Sequence, residues 1–466
     1  SGERQRGSSS SSLQGLCLLW KKKNKKKHNN KNKNIDCPRN MFALSGKREK
    51  IDEKQARELL APIQAAIDAK SFASFKELKF GGKSFNLKAA KVLTSMLPHL
   101  QGVEILDISD TLSGQETQEA RQVLKEVSIA SKDMDVRRLR LNELALGANG
   151  IAACEEMLKG NKNVVELSFN DCGLESKAAE LITKFILSNG KPSKIEKFHI
   201  FNNCLTSAGV INLCPLFENS PGLKDIRVST TRISSDGGLK LALAMRSCRK
   251  LQTVDFSDNQ FGEDAGKIFQ QEVFDNQPEL KNLNLSDCGL GESVCIGIIK
   301  NLTEHKTNLE TLQLTHNDIT EDNAQSLADY VSQATSLRCL NLEGNDLMSN
   351  GAKVVFEALA DSKNPIEDVN MLNNSLTAAA VPSILKFLRA KAGTIKKLNL
   401  NANMISAKGV SLIKDTLNKT NNNPDECLDT MSDNDDEEEE GNEVLEGLDT
   451  DGEVGDLAEQ LQKLTT

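Results

Sequence analysis

The sequence predicts an α/β solenoid of about twelve repeats, with a concave parallel sheet backed on its convex side by helices. Three observations carry this. A short apolar–x–apolar core recurs from Leu78 to Leu398 at a mean spacing of about 29 residues. A polar residue, most often Asn, stands three positions after most of these cores. Aromatics make up only 4% of the 466 residues, with one Trp and one Tyr, so the interior must be assembled from many small aliphatic contacts.

Taken in order, residues 1–46 read as a disordered basic leader. Its Ser8–Ser12 run and the Lys/Asn stretch from Lys21 to Asn34 hold no apolar period. Lys and Asn share A-rich codons and Met41 is the first methionine, so the segment before it reads as translated upstream sequence, with a nuclear-import or nucleic-acid role for the lysines as the alternative. Residues 47–74 form a helical cap, with Pro62 expected to break or kink the helix-prone stretch Asp52–Lys70.

Residues 75–420 hold the repeats. The strand cores run from Leu78-Lys79-Phe80 through Phe198-His199-Ile200 to Leu398-Asn399-Leu400. The polar position after them reads Cys172, Asn203, Thr231, Asn259, Cys288, Asn317, Asn345, Asn374 and Asn403 from the fourth repeat on. Where a chain turns sharply after every strand, a buried side chain must bond the backbone groups of neighbouring turns, and Asn, Cys and Thr can do so; Leu144 in the third repeat cannot. An apolar stripe such as Ala324, Leu327, Ala328 and Val331 makes the second half of each repeat a helix, with Thr320 as its expected N-cap and Thr206, Ser234, Thr377 and Ser406 in the same place elsewhere. A strand plus a full helix in 28–29 residues is the leucine-rich repeat of the ribonuclease-inhibitor type. Residues 421–466 read as an acidic disordered tail, ending in a short amphipathic segment at Leu457, Leu461 and Leu464.

The formal charge of −8 divides into +11 over residues 1–50, −3 over 51–420 and −16 over 421–466. The tail therefore suits solubility, steering of a basic partner, or histone binding. No apolar run approaches the roughly 20 residues that span a bilayer, so no membrane role is expected. The eleven cysteines lack C-x-x-C spacing, which argues against zinc or a disulfide framework and for small core residues in a reducing, cytoplasmic setting. No Ser/His/Asp, Cys/His or glycine-rich phosphate motif is present, so no active site or cofactor of its own is expected, and no nucleic-acid partner either.

The chain resembles the Ran GTPase-activating protein family over roughly residues 47–420 and the acidic tail. The resemblance rests on Gln55-Ala56-Arg57-Glu58-Leu59-Leu60, on Ser109-Asp110 with Gly114, on Phe201-Asn202-Asn203, on Ser229-Thr230-Thr231-Arg232 with Gly237-Gly238, and on Asp258-Asn259 with Phe261-Gly262. The plant N-terminal envelope-targeting domain and the vertebrate C-terminal domain are not recognisable, so a minimal form is expected. The resemblance implies an activator of the small GTPase Ran in nucleocytoplasmic transport. It would be a monomer that binds Ran in its GTP form, alone or with a Ran-binding protein, in the cytoplasm or near the nuclear envelope. It would order the partner's own catalytic glutamine, and GTP and Mg²⁺ would belong to the partner. Two positions depart from the family. Gln115 stands where Arg usually follows the glycine of repeat two, and Asp171 where Asn often precedes the ladder position of repeat four.

Candidate partner-stimulating residues are therefore Gln115, Asp171 and Asp110. Lys79, Asp107, Arg138, Arg140, Asn170 and Asn202 are partner-binding candidates on the concave side. Arg121, Arg138 and Arg140 are the candidate replacements for the missing arginine, and His199 reads as a surface histidine. Asn203 and Asn259 are structural first. A solvated sheet face is the default reading of the outward strand residues. The alternatives are a leucine-rich repeat scaffold, in the manner of ribonuclease inhibitors or immune sensors, and an acidic-tail binding protein, neither with GTPase-activating activity.

Overall fold

The computed structural model describes residues 40–44, 46–70, 75–275, 277–420, 422–434, 442–446 and 448. The leader before Asn40, the acidic run 435–441 and the segment with Leu457, Leu461 and Leu464 lie outside the described residues. Within them, three-residue strands pair in sequence order and all in parallel, from Met41–Ala43 and Glu77–Lys79 to Lys397–Asn399, making a 13-stranded sheet. The middle residue of each strand from Leu78 to Leu398 is buried, as is the apolar residue two positions on, from Phe80 to Leu400. Burying one such side chain stabilises by about 2 kcal/mol, and because the contacts are with adjacent repeats, stability is built as a chain of neighbour interfaces.

The helices fall where the apolar stripes put them. Ala324–Gln333 buries Ala324, Leu327, Ala328 and Val331. Pro62 sits in the first turn of Ala61–Asp68, so the cap splits at Leu60 into that helix and Glu53–Leu59. Asp52 and Gln55 form a reciprocal capping box on the first of these. The expected hydroxyl caps hold only in part. Thr377 and Ser406 accept from backbone N–H groups of their helices. Thr320 instead donates to Glu292 of the preceding repeat at 2.7 Å, Ser234 pairs with Ser207, and Thr206 sits inside its helix at φ 57°. A neighbouring repeat offers a competing partner that no single-repeat reading contains.

Both ends of the crescent extend beyond the expected boundaries. Met41–Ala43, placed by sequence in the leader, pairs with Glu77–Lys79 and covers the edge of the sheet. Phe42 rests there against Phe75 and Phe80, with ring centroids 6.2 and 6.0 Å away. Glu49–Ile51 pairs with Lys83–Phe85 in a separate parallel ribbon, held by the buried Lys83, which donates to the Lys47 carbonyl and to Glu49. At the other end, the first residues assigned to the tail cap the solenoid. Pro424–Cys427 is helical, Leu428 bridges to Leu398, and Asn434 accepts from the N–H groups of Asn403 and Ile405 at 3.2 and 3.4 Å. The last ladder asparagine needs a neighbour as much as the others do, and Asn434 supplies it.

One glycine marks a close approach between repeats. A Cβ on Gly160 would stand 2.2 Å from the Lys132 carbonyl oxygen and 2.8 Å from the Lys132 Cα, both main chain. Gly160→Ala is expected to destabilise by about 3 kcal/mol, read as a lowered urea midpoint. A variant within about 0.5 kcal/mol of wild type would show that these turns slide apart freely.

Nine cysteines are described, all as free thiols, seven of them buried and Cys204 and Cys339 half-buried. Burial pushes Cys154, Cys172, Cys214 and Cys295 up to about 12, and Cys248 up to about 11. With Cys17 and Cys37 replaced by Ser, we expect at most the two half-buried thiols to react with a chromogenic disulfide at pH 8 before unfolding, and all nine to react in guanidinium. Rapid native reaction of Cys154 or Cys172 would contradict this core.

Candidate functional site

The turn that leaves each strand fixes a row of side chains along one rim. The residue just before the ladder position adopts positive φ in repeat after repeat: 53° at Asp110, 56° at Glu143, 54° at Asp171, 56° at Asn202, 53° at Thr230 and 55° at Asp258. This left-handed conformation favours Gly, Asn and Asp. It aims each backbone N–H at a carbonyl of the next repeat, as Asp110 N to Asn142 O at 2.9 Å and Asp171 N to Phe201 O at 3.1 Å. Strand spacing of about 4.8 Å then brings one side chain per repeat to the rim. Its N-terminal part is acidic, at Asp110, Glu143 and Asp171.

Behind the rim the ladder is buried. Asn203 accepts from Cys172 N at 3.1 Å and Leu174 N at 2.9 Å, and donates to the carbonyls of Phe169, Ile200 and Phe201. Asn259, Asn345 and Asn403 likewise both accept from and donate to the main chain of the preceding repeat. Asn317 and Asn374 donate across repeats to Leu285 and Leu342. At Cys172 and Cys288 a thiol donates in the asparagine's place, to Leu141 at 2.9 Å and Phe256 at 3.3 Å.

Of the partner-stimulating candidates, Asp171 is exposed, and among the described residues its carboxylate makes no side-chain hydrogen bond. Asp110 is held by Arg48, whose Nε lies 2.7 Å from its Oδ2 and whose Nη2 lies 2.9 Å from Glu143 Oε2. The two carboxylates, Asp110 foremost, raise the Arg48 guanidinium above its ordinary pKa. Gln115 is turned inward: its Nε2 donates to Ser84 Oγ at 3.0 Å and to the Phe85 carbonyl. The ribbon of residues 49–51 and 83–85 crosses this spot, with Lys50 Cε 3.5 Å from where a Cβ on Gly114 would lie. Arg48, from the cap, is thus the cation that pairs with the rim at Asp110 and Glu143, while Lys50 lies beside the departed position. Arg121 lies on the helix Thr117–Ser131, and Arg138 and Arg140 both reach Glu166, at 3.7 and 2.9 Å.

Among the binding candidates, Lys79 and Arg138 are half exposed and Asn202 is exposed. Asp107 is buried; it accepts from Ser109 N at 3.0 Å and faces Lys79 Nζ at 3.9 Å, so it is not an outward contact, and Ser168 is buried too. The concave face is therefore less uniformly solvated than its polarity suggests, because Asp107 folds back on its own turn and the Ser168 hydroxyl donates to Asn142 of the preceding repeat. Asn170 Nδ2 donates to Ser168 Oγ at 3.1 Å, and its N–H donates to Asn142 Oδ1 at 2.8 Å.

Three buried acceptors in this region have no donor: Asp110 Oδ1, Gln115 Oε1 and Asn170 Oδ1. The site is rich in acceptors, and its arginines Arg48, Arg138 and Arg140 are ion-paired. Sequence reading missed Arg48 and Glu143; the left-handed preference of the residue before each ladder position was the available signal, and Glu143 obscured it.

The leucine-rich repeat family model matches residues 305–328 and 333–356. Together with the repeating sheet and ladder, that settles the fold. The chain is a leucine-rich repeat solenoid. Such a protein shares its repeats with several kinds of relative. It is 24% identical to pig (Sus scrofa) ribonuclease inhibitor over 351 residues, 68% of this chain and 74% of that one. It is 29% identical to RAN GTPase-activating protein 2 of Arabidopsis thaliana over 407 residues, 86% of this chain and 72% of that one. With RAN GTPase-activating protein 1 of Arabidopsis thaliana the identity is 32% over 128 residues, 27% and 23% of the two chains.

Proposed function

We propose that this leucine-rich repeat protein is a GTPase activator for the small GTPase Ran, acting on its GTP form in nucleocytoplasmic transport, as a monomer in the cytoplasm at or near the nuclear envelope. The observation that carries the reading is the acidic rim of Asp110, Glu143 and the exposed Asp171, on a chain similar to a Ran activator over most of its length. Hydrolysis needs an attacking water held in line, which small GTPases arrange with a glutamine of their own. A side-chain amide NH₂ is a donor, so a rigid row of acceptors is the partner that would hold it in one orientation. The rim's own cations are engaged, Arg48 with Asp110 and Glu143, and Arg140 with Glu166, so the reading requires no arginine finger. GTP and Mg²⁺ stay with the partner, and a Ran-binding protein would be accommodated on the GTPase, away from the rim.

A second reading is a binding scaffold without activation. It is favoured by the inward bonds of Gln115, which withdraw one candidate side chain from the surface, and by the likeness to ribonuclease inhibitor. Single-turnover hydrolysis by purified GTP-loaded Ran separates the two. An activator accelerates it by about 10³-fold or more; binding with no acceleration would leave the scaffold.

A further inference from the structure

Among the described aromatic residues only Phe75 and Phe201 are not buried, and Phe75 packs against the core. Phe201 stands two residues beyond the strand Lys197–His199, where neighbouring repeats carry Asn170, Ser229 and Ser257. A phenyl ring in a polar row is unfavourable unless something covers it. One face is covered: the Arg227 guanidinium lies over the ring at 3.8 Å from the centroid. Arg227 is itself fixed, with Nε 2.7 Å from Asp255 Oδ2 and 3.1 Å from Ser229 Oγ. The pair is a preorganised, flat platform with little side-chain entropy left to lose on contact.

The platform is continuous with the acidic rim, since the Phe201 carbonyl accepts the Asp171 N–H at 3.1 Å. Lys197 and Arg227 are each matched by a carboxylate, Asp225 and Asp255, both at 2.7 Å. The exposed Asp171 and Asp258 outnumber the exposed Arg232 on these turns and leave them net negative. We propose that Phe201 stacked on Arg227 is the affinity anchor for a basic surface of the GTPase, whose Lys or Arg stem lies on the open face of the ring while its charge meets the rim carboxylates. This rests on the function proposed above, and it assigns binding to the fifth and sixth repeats and stimulation to the second to fourth. Aromatic–arginine clusters of this kind dominate interface energies.

The test uses the full chain and Ran loaded with a non-hydrolysable GTP analogue, followed by titration, and GTP-loaded Ran for single-turnover rates at saturating protein. Phe201→Ser, a residue the same row already holds at 229 and 257, is expected to raise Kd about tenfold or more with the saturated rate kept within about twofold. Phe201→Tyr, which keeps the ring, and Leu372→Ser, at the equivalent position six repeats on, should bind within about threefold of wild type. Unaltered melting of Phe201→Ser would confirm that the loss is at the surface. A Phe201→Ser protein that binds like wild type overturns the anchor and leaves the proposed activity standing, and so does one that binds normally but has lost the saturated rate. A wild-type protein that does not bind GTP-form Ran overturns the proposed activity and the anchor together.

Discussion

Asn203→Ala is expected to lower the unfolding free energy by about 4 kcal/mol, the largest effect of any single ladder change. The loss comes from both sides of the amide. Its oxygen serves the N–H groups of Cys172 and Leu174, and its nitrogen serves three carbonyls at 2.8 to 3.1 Å. The side chain is almost fully buried, so water does not restore these bonds, and each orphaned N–H costs about 1–3 kcal/mol. The fold contains its own control. Cys172 and Cys288 occupy the equivalent position with a single donor, so Asn203→Cys should lose only about half as much as Ala. Asn203→Asp keeps the acceptor but sets a carboxylate among three carbonyls, and it should be at least as destabilising as Ala. Urea unfolding of the three variants gives the order. If Ala and Cys unfold together, the ladder is not what holds adjacent turns in register.

Most of the sheet was legible because one residue type recurs at one spacing. Leu78 through Leu398 fall at the strand centres, and the ladder positions are where Asn, Cys or Thr must be. What escaped lies where the repeat breaks. Met41–Ala43 and Glu49–Ile51 are three residues long, too short to show a period of two, and their pairing is defined only by the partner strands. Asn434 follows Leu428 by six residues where the repeats use five, so the final half-repeat is out of step. The hydroxyl caps failed at Thr320 and Ser234 for a related reason: the competing partners Glu292 and Ser207 belong to preceding repeats rather than to the helix they begin.

The rim was legible by residue type and not by role. Asp110, Asp171 and Asn202 carry the preference for the left-handed region, but a preference does not say which side chains remain free afterwards. Gln115 and Asp107 are polar residues in a polar surface, and only the fold shows that one bonds Ser84 and the other its own turn. Arg48, 62 residues away from Asp110 in sequence, is brought to the rim by the edge ribbon. Charge in this site is a tertiary property.

That leaves Asp171 as the free carboxylate next to Asn170, and the proposed activity turns on it. If its oxygen accepts from the partner's amide in the transition state, Asp171→Ala should slow saturated single-turnover hydrolysis about 100-fold, the scale on which removing one oriented hydrogen-bond partner acts. Ala in the left-handed region also carries a backbone cost of about 1–2 kcal/mol, so a second change must separate strain from function. Asp258→Ala imposes the same cost three repeats away, at φ 55° against 54°. It should destabilise equally and leave the saturated rate within about threefold, because Asp258 lies outside the acceptor cluster. Asp171→Asn keeps a carbonyl acceptor and tolerates the backbone, so it should retain most of the rate while losing affinity that depends on salt. A 100-fold loss in both Ala variants would locate the defect in the fold of the crescent. A loss in neither would move the stimulating group elsewhere on the rim, with Asn202 the next to test, since it is exposed at the equivalent position of the following repeat.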